Sequence, residues 1–243
     1  MTETRAPDCG LSLVVPVYNE RDNLAILHAE ITAALAGRGE AFEILFVDDG
    51  STDGSDAEIR RLRATDPRVR LVTLARNSGQ SAAMDAGFRR ARGPVVVTLD
   101  ADLQNDPADI PRLLEALVGW DAVVGKRIRR HDTFARRASS RIANAIRNRL
   151  SDENIADTCC SLKAFRREAL DRVVHFEGMH RFLPTLLRME GCRVREVPVG
   201  HRPRVRGASK YRIANRLVPA FADLLAVRWM KRRKLRYEVK DDG

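Results

Sequence analysis

Asp100 and Asp102 stand one residue apart where the apolar run VVVTL (Val95–Leu99) ends. In extended chain a spacing of two turns both carboxylates to the same side. Like charges held that close call for a cation, a shared proton or ample solvent. A second acidic pair, Asp48 and Asp49, follows another apolar run, EILFV (Glu43–Val47). Carboxylates that face a diphosphate repel it unless a divalent cation lies between them. Mg²⁺ or Mn²⁺, held by one or two carboxylates and by the substrate's own phosphates, satisfies that requirement. An isolated Asp-x-Asp is also an ordinary polar end to a strand. The strand context and the second acidic set favour the metal.

These residues need elements to carry them. Short apolar runs alternate with helical patterns through the first half of the chain. Strands are predicted over Leu11–Pro16, Glu43–Val47, Val69–Leu74, Val95–Leu99 and Asp121–Gly125, with a later one over Cys192–Val199. Helices are predicted over Asn23–Leu35, Ser55–Arg63, Gly79–Ala91 and Ile110–Leu117. Such alternation implies an α/β fold, a parallel sheet with helices on both faces. Ligands of such sheets sit beyond the carboxyl ends of the strands. The polar stretches VYNE, DDGSTDGS and DADLQ all fall there. Neither Gly-x-Gly-x-x-Gly nor Gly-x-x-x-x-Gly-Lys-Ser/Thr occurs at these strand ends, so two common phosphate-binding loops are excluded.

Composition sets the class. In 243 residues, 44% are hydrophobic and 31% charged, which describes a globular chain with one sizeable core. A formal charge of +10 implies an anionic partner: nucleic acid, a lipid surface or a phosphorylated substrate. Lys126–Leu150 holds nine Lys/Arg against one acid, Asp132, which reads as a solvated helix face or as a face resting on anionic lipid. The four cysteines show no ligand spacing and read as free thiols in a reducing compartment. The opening MTETRAPDCG has no apolar stretch of signal-peptide type, and LVPAFADLLAV (Leu217–Val227) is too short to span a bilayer. The expectation is a cytoplasmic protein, peripheral on the inner face of the membrane. One catalytic domain over 1–211 and a basic C-terminal extension over 212–243 is the simplest division.

VVPVYNE (Val14–Glu20), VDDGSTDGS (Val47–Ser55), ARNSGQSAAMDAG (Ala75–Gly87) and LDADLQNDP (Leu99–Pro107) together resemble family 2 glycosyltransferases of the GT-A fold, a Rossmann-like, mostly parallel sheet. VVGKR (Val123–Arg127), DTCCSLKAFRRE (Asp157–Glu168) and VPVGHRPRVRGASKY (Val197–Tyr211) narrow the resemblance. They are similar to the polyprenol-phosphate branch, which includes dolichol-phosphate mannose synthases and bactoprenol-phosphate glucosyltransferases. The chain departs from that pattern at Cys159, where relatives often carry Gly, and at Ser161–Lys163.

The resemblance implies an inverting transfer of a sugar from a nucleoside-diphosphate sugar to a polyprenyl phosphate, dependent on Mg²⁺ or Mn²⁺. It implies that Pro16, Tyr18, Glu20, Val47, Asp49, Asp100, Ala101 and Gln104 bind the nucleotide sugar, with Asp49 reading the base. Asp100, Asp102 and Gln104 would hold the metal. Asp102, Arg127 and Asp157 would be catalytic, with Arg127 near the acceptor phosphate. Arg204, Arg206, Ser209 and Lys210 match a basic loop over the phosphates. Asp157 is open to two readings, a general base or a group that orients a basic residue or the sugar. An acceptor that is already anionic needs positioning by cations more than it needs a strong base. His201 is open to two as well, a third metal ligand or a structural residue of a basic loop.

Three rivals remain in view. A family 2 enzyme with another glycan or lipid acceptor shares every motif. A nucleotidyltransferase shares the acidic strand ends. A non-catalytic module for nucleic acid or anionic surfaces would account for the charge, yet aromatics are only 5% and no nucleic-acid-binding motif is present. No nucleic-acid partner is therefore expected. In the C-terminal extension, Ile213, Leu217, Phe221, Leu224 and Leu225 recur at spacings of three and four. Trp229 and the cluster Lys231–Lys234 follow. That pattern predicts an amphipathic basic helix, packed on the domain or lying in a membrane interface over about Arg212–Lys240.

Overall fold

Strand β1 (Leu11–Val17) is buried along nearly its whole length because it lies between two parallel neighbours, β2 (Phe42–Asp48) and β4 (Val95–Thr98). The structure, a computed structural model, describes residues 9–128, 157, 160–203 and 214–235. Strand β3 (Val69–Thr73) extends the parallel set beyond β2. On the other side follow β5 (Ala122–Arg127), β6 (Lys163–Arg166) and β7 (Val194–Val199), in the sheet order β3-β2-β1-β4-β6-β5-β7. Only β6 runs antiparallel, wedged between β4 and β5. The mostly parallel α/β sheet expected from the alternation is present. Strand β6 was not anticipated. Four residues with a cation at each end, Lys163 and Arg166, do not read as a strand.

Alternation along β1 shows why helices cover both faces. Leu11, Leu13, Val15 and Val17 join a core with Leu24, Leu27, Ile31 and Leu35 of helix α1 (Arg21–Leu35). Those four recur every three or four residues, so α1 presents one apolar stripe to the sheet. Ile59 and Leu62 of α2 (Ser55–Thr65) and Leu113 and Leu114 of α4 (Ile110–Ala116) complete that layer. Val14 points the other way, toward Gly87 of α3 (Gln80–Phe88), where an added Cβ would come 2.3 Å from its side chain. Each fully buried Leu or Ile contributes about 1.5–3 kcal/mol.

Two short helices follow β6, α5 (Arg167–Leu170) and α6 (Leu183–Met189). The chain divides into two compact units, Met1–Asp132 with Ile155–Ala208, and Thr133–Asn154 with Ser209–Gly243. The second unit thus takes an internal segment as well as the C-terminal extension. Its helix α7 (Ala214–Arg233) ends in Lys231, Arg232 and Arg233. On α7, Phe221, Leu225 and Trp229 are exposed, while Leu224 and Val227 are buried. The expected apolar stripe is therefore split. Residues 221, 225 and 229 share one outward face and Leu224 belongs to another. Ile213 and the side chain of Leu217 lie outside the described residues, as does the basic stretch from Arg129 to Arg149. No helix among the described residues is long and apolar enough to cross a membrane. Cys9, Cys160 and Cys192 are free thiols.

Candidate active site

The loops after β1, β2 and β4 meet at one edge because β1 lies between the other two strands. Side chains tie the first two together. The Asn19 amide donates to Ser51 Oγ at 2.9 Å, and Thr52 N donates to Asn19 Oδ1 at 2.7 Å. Glu20 N donates to Ser55 Oγ at 3.0 Å, and Arg21 N to Asp53 Oδ2 at 3.1 Å. The Asn23 carboxamide donates to Glu20 Oε2 at 2.6 Å, which fixes the carboxylate of the VYNE motif. Pro16, Tyr18 and Glu20 are all partly exposed at this edge, as the resemblance requires of a pocket lining.

Asp49 turns its carboxylate to the loop that leads into α3. Its Oδ1 accepts from Ser78 N at 2.7 Å, and its Oδ2 from Gly79 N at 2.9 Å and Asn77 Nδ2 at 3.1 Å. Burial pushes its carboxyl up, against the opposing pull of the Ser78 and Gly79 amides. Gly50 beside it has φ +70°, and a Cβ there would come within 2.6 Å of the Arg76 and Asn77 backbone. The Asp-Gly pair therefore docks the loop that leads into α3. Two further residues point inward. Val47 is fully buried and packs toward Gly87, and Ala101 belongs to the core beneath α1 and α4. Both side chains are buried.

The acidic motif occupies a tight turn after β4. Asp100 Oδ1 accepts from Gln80 Nε2 at 2.7 Å, so the first residue of α3 aims this carboxylate. Gln80 lies inside a motif quoted for the resemblance, yet only the contact singles it out. Asp102 is buried, and its Oδ1 accepts from Gln104 N at 3.2 Å. Between them Leu103 sits at φ 60°, in the left-handed region that a bulky side chain rarely adopts. Such a residue costs about 1–3 kcal/mol and persists where its surroundings fix it. Asn105 anchors the far end of the turn, accepting from Ser161 Oγ at 2.5 Å.

Arg127 ends β5 and forms a two-point pair with Asp157. Nε to Oδ2 is 2.7 Å and Nη2 to Oδ1 is 2.9 Å, with side chains only 15% and 8% exposed. Asp157 N donates in turn to Glu196 Oε1 on β7 at 3.2 Å. Gly125, two residues earlier, lets the chain approach, since a Cβ there would come 2.9 Å from Cys160 Sγ and the Leu162 carbonyl. Lys163 is buried and donates to the Cys160 carbonyl.

His201 senses both acidic centres. Its Nδ1 is buried and has no hydrogen-bond partner. Burial, then the Arg127 charge, hold its pKa below the ordinary imidazole value, against Asp102, the Gln104 carbonyl and Asp157. Arg204, Arg206, Ser209, Lys210 and Cys159 lie outside the described residues.

Among the described residues, no three His, Cys, Asp or Glu side chains gather closely enough to hold a metal unaided. The donors present do fit a divalent ion completed by substrate oxygens. They are the carboxylates of Asp100 and Asp102, the first met by the Gln80 carboxamide and the second by the Gln104 amide.

The description Glycosyl transferase family 2 matches residues 12–174. The chain belongs to this family. Among curated relatives, the undecaprenyl-phosphate 4-deoxy-4-formamido-L-arabinose transferase of Edwardsiella ictaluri is 43% identical over 204 residues. That match covers 83% of this chain and 62% of the relative, so this chain spans less than two thirds of that protein's length. The transferase of the same name from Salmonella paratyphi A is 39% identical over 222 residues, 90% of this chain and 68% of the relative. Among solved structures, a mannosyltransferase from Pyrobaculum calidifontis in complex with GDP-Man and Mn²⁺ is 25% identical with a TM-score of 0.64. It covers 96% of this chain and 68% of that one. Glucosyl-3-phosphoglycerate synthase from Mycobacterium tuberculosis, with Mn²⁺ and UDP, has a TM-score of 0.67 at 19% identity, covering 91% of this chain and 79% of that one. These neighbours bear out the GT-A type of fold.

Proposed function

We propose that this chain transfers a sugar from a nucleoside-diphosphate sugar to a polyprenyl phosphate, with inversion at the anomeric carbon. The observation that carries the reading is that the acidic turn after β4 and the Arg127–Asp157 pair at the end of β5 stand at the same edge of the sheet, since both strands run antiparallel to β6 between them. A donor diphosphate needs the first and an anionic acceptor needs the second. The names of the curated relatives support the acceptor class.

Asp100 and Asp102, with Gln104, would hold Mg²⁺ or Mn²⁺. That ion would supply positive charge to the departing diphosphate. Glu20, Tyr18 and Pro16 would line the nucleotide pocket. Asp49 would act on it through the Asn77–Gly79 loop rather than by touching the base. Asp157, with both oxygens on one guanidinium, would hold Arg127 in place for the acceptor phosphate rather than remove a proton. A phosphate monoester is already a nucleophile, so positioning suffices. Arg204, Arg206 and Lys210 would add cations near the phosphates, and Ser209 a hydroxyl.

The acceptor's isoprenoid tail stays in a bilayer, and the exposed face of α7 offers a way to meet it. Phe221, Leu225 and Trp229 suit the headgroup level, and each nearby cation adds about 1 kcal/mol at an anionic surface. A chain ended at Tyr211 should sediment less with anionic vesicles than the full chain. Equal binding by the folded short form would contradict peripheral attachment through α7.

Calorimetric titration of the full chain with UDP and with GDP tests the donor half. One of the two should bind with Mn²⁺ and lose its binding in chelator. Metal-independent, salt-sensitive binding of DNA instead would favour the charge-driven rival.

A further inference from the structure

Arg202 belongs to none of the groups assigned above, yet it gathers three separate parts of the catalytic edge. Its backbone N donates to the Gln104 carbonyl at 2.8 Å. Its Nη1 lies 2.8 Å from both carboxylate oxygens of Glu30 on α1, 172 residues away in sequence. Its Nη2 pairs with Asp106 Oδ1 at 2.8 Å. Asp106 is itself fixed, since the same oxygen accepts from Ala108 N at 3.0 Å. The strand that delivers Arg202 is pinned as well. Gly200 N donates to Asp109 Oδ2 at 2.7 Å, and the Arg112 guanidinium donates to the Pro198 carbonyl.

A lone surface ion pair contributes little, and these side chains are about a third exposed (38% for Arg202, 31% for Glu30 and for Asp106). The arrangement differs from a lone pair in two respects. One guanidinium is engaged by two carboxylates on different elements, a network with fixed geometry. Its backbone also grips the carbonyl of Gln104, whose amide caps Asp102 on the other side of the left-handed Leu103. The unfavourable turn that presents Asp102 is thus held from Gln104 by Arg202, and Arg202 is held by α1 and Asp106. His201, the adjacent residue, is set by the same grip.

We infer that Arg202 is a positioning residue: the Glu30–Arg202–Asp106 bridge holds the Asp102–Leu103–Gln104 turn, with His201, in the conformation that receives the metal and diphosphate. This rests on the glycosyltransferase reading above. The bridge acts on donor binding through geometry, so its loss shows in metal-dependent nucleotide affinity before it shows in folding.

The test titrates the full-length protein, calorimetrically, with UDP and GDP in the presence of Mn²⁺, and records the melting temperature of each sample. Arg202→Met is expected to weaken binding of the preferred nucleotide roughly tenfold, a loss typical of one coupled network. Glu30→Gln, distant from the nucleotide, is expected to weaken it in the same direction. The double variant should bind no more weakly than Arg202→Met alone, because both changes open one bridge. Should Arg202→Met not fold, the Glu30→Gln and Asp106→Asn variants give the same comparison. Folded variants that bind within twofold of the parent, or losses that simply add, overturn the proposal while leaving the glycosyltransferase reading intact. A parent that binds neither nucleotide with Mn²⁺ overturns that reading and this proposal together.

Discussion

On the proposed donor side of the sheet, the loops after β1, β2 and β4 are stitched by many separate contacts between short side chains and backbone amides, such as Asn19 to Ser51 and Thr52. On the acceptor side, a buried guanidinium and carboxylate meet across the end of β5. The first kind of joint tolerates the loss of one member, because each contact contributes about 1 kcal/mol and several act in parallel. The second does not, because removing either partner takes a two-point contact from a charge held away from water. The same edge thus joins a redundant half to a brittle one. The brittle half stands where the proposed reading puts the anionic acceptor.

The largest expected effect tests that brittleness. Arg127→Met should cost about 3–5 kcal/mol in denaturant unfolding, since it takes a two-point guanidinium contact from the buried Asp157 carboxylate. Adding Asp157→Asn should recover a good part of that stability without recovering turnover. A single variant that unfolds within about 1 kcal/mol of the parent, the range of an exposed ion pair, would erase the contrast.

Asp49→Ala comes next. Loss of its contacts to the Asn77–Gly79 loop should destabilise by about 1–3 kcal/mol. Preference between UDP and GDP should stay as in the parent. A variant of parental stability whose base preference changes would return Asp49 to the role of reading the base.

That case shows what the amino-acid pattern carries and what it omits. Apolar runs ending in acids located the strand ends, and the parallel order brought Asp48–Asp49 and Asp100–Asp102 to one edge as expected. The motif residues at those ends were named from their resemblance. Which way each side chain points depends on partners far off in the chain. Asp49 turns to residues 77–79, Val47 to Gly87, and Ala101 into the core. Strand β6 escaped notice because a four-residue insert between β4 and β5 is specified by its neighbours, not by its own polarity. Arg202 escaped because its partners, Glu30 and Asp106, become neighbours only in the folded chain.

The smallest effect is a control at the opposite edge of the sheet. Hydrogen bonds from the Arg68 guanidinium, then from its amide and from His28, hold the Asp66 carboxyl well below the usual carboxylate range. A depressed folded-state pKa contributes stability above the unfolded value of about 4 and loses it as pH falls. Asp66→Asn should therefore lower stability by about 1–2 kcal/mol at pH 7, and the gap from the parent should close as pH falls below about 4. Donor binding should not change. A gap that persists at low pH would mean that packing around Phe42, not charge, holds this corner.

On the proposed reading, the acidic turn and the Arg127–Asp157 pair together move a sugar onto a lipid phosphate. The most direct measurement incubates the full chain with a panel of nucleoside-diphosphate sugars, Mn²⁺ and a short polyprenyl phosphate, and resolves the products by charge and mass. The account predicts an anionic glycolipid whose phosphate carries the sugar in inverted configuration, formed with release of a nucleoside diphosphate. It also predicts at least a hundredfold less product with Asp102→Asn, whose fold should be unchanged. Release of pyrophosphate, or equal product from Asp102→Asn, would contradict it.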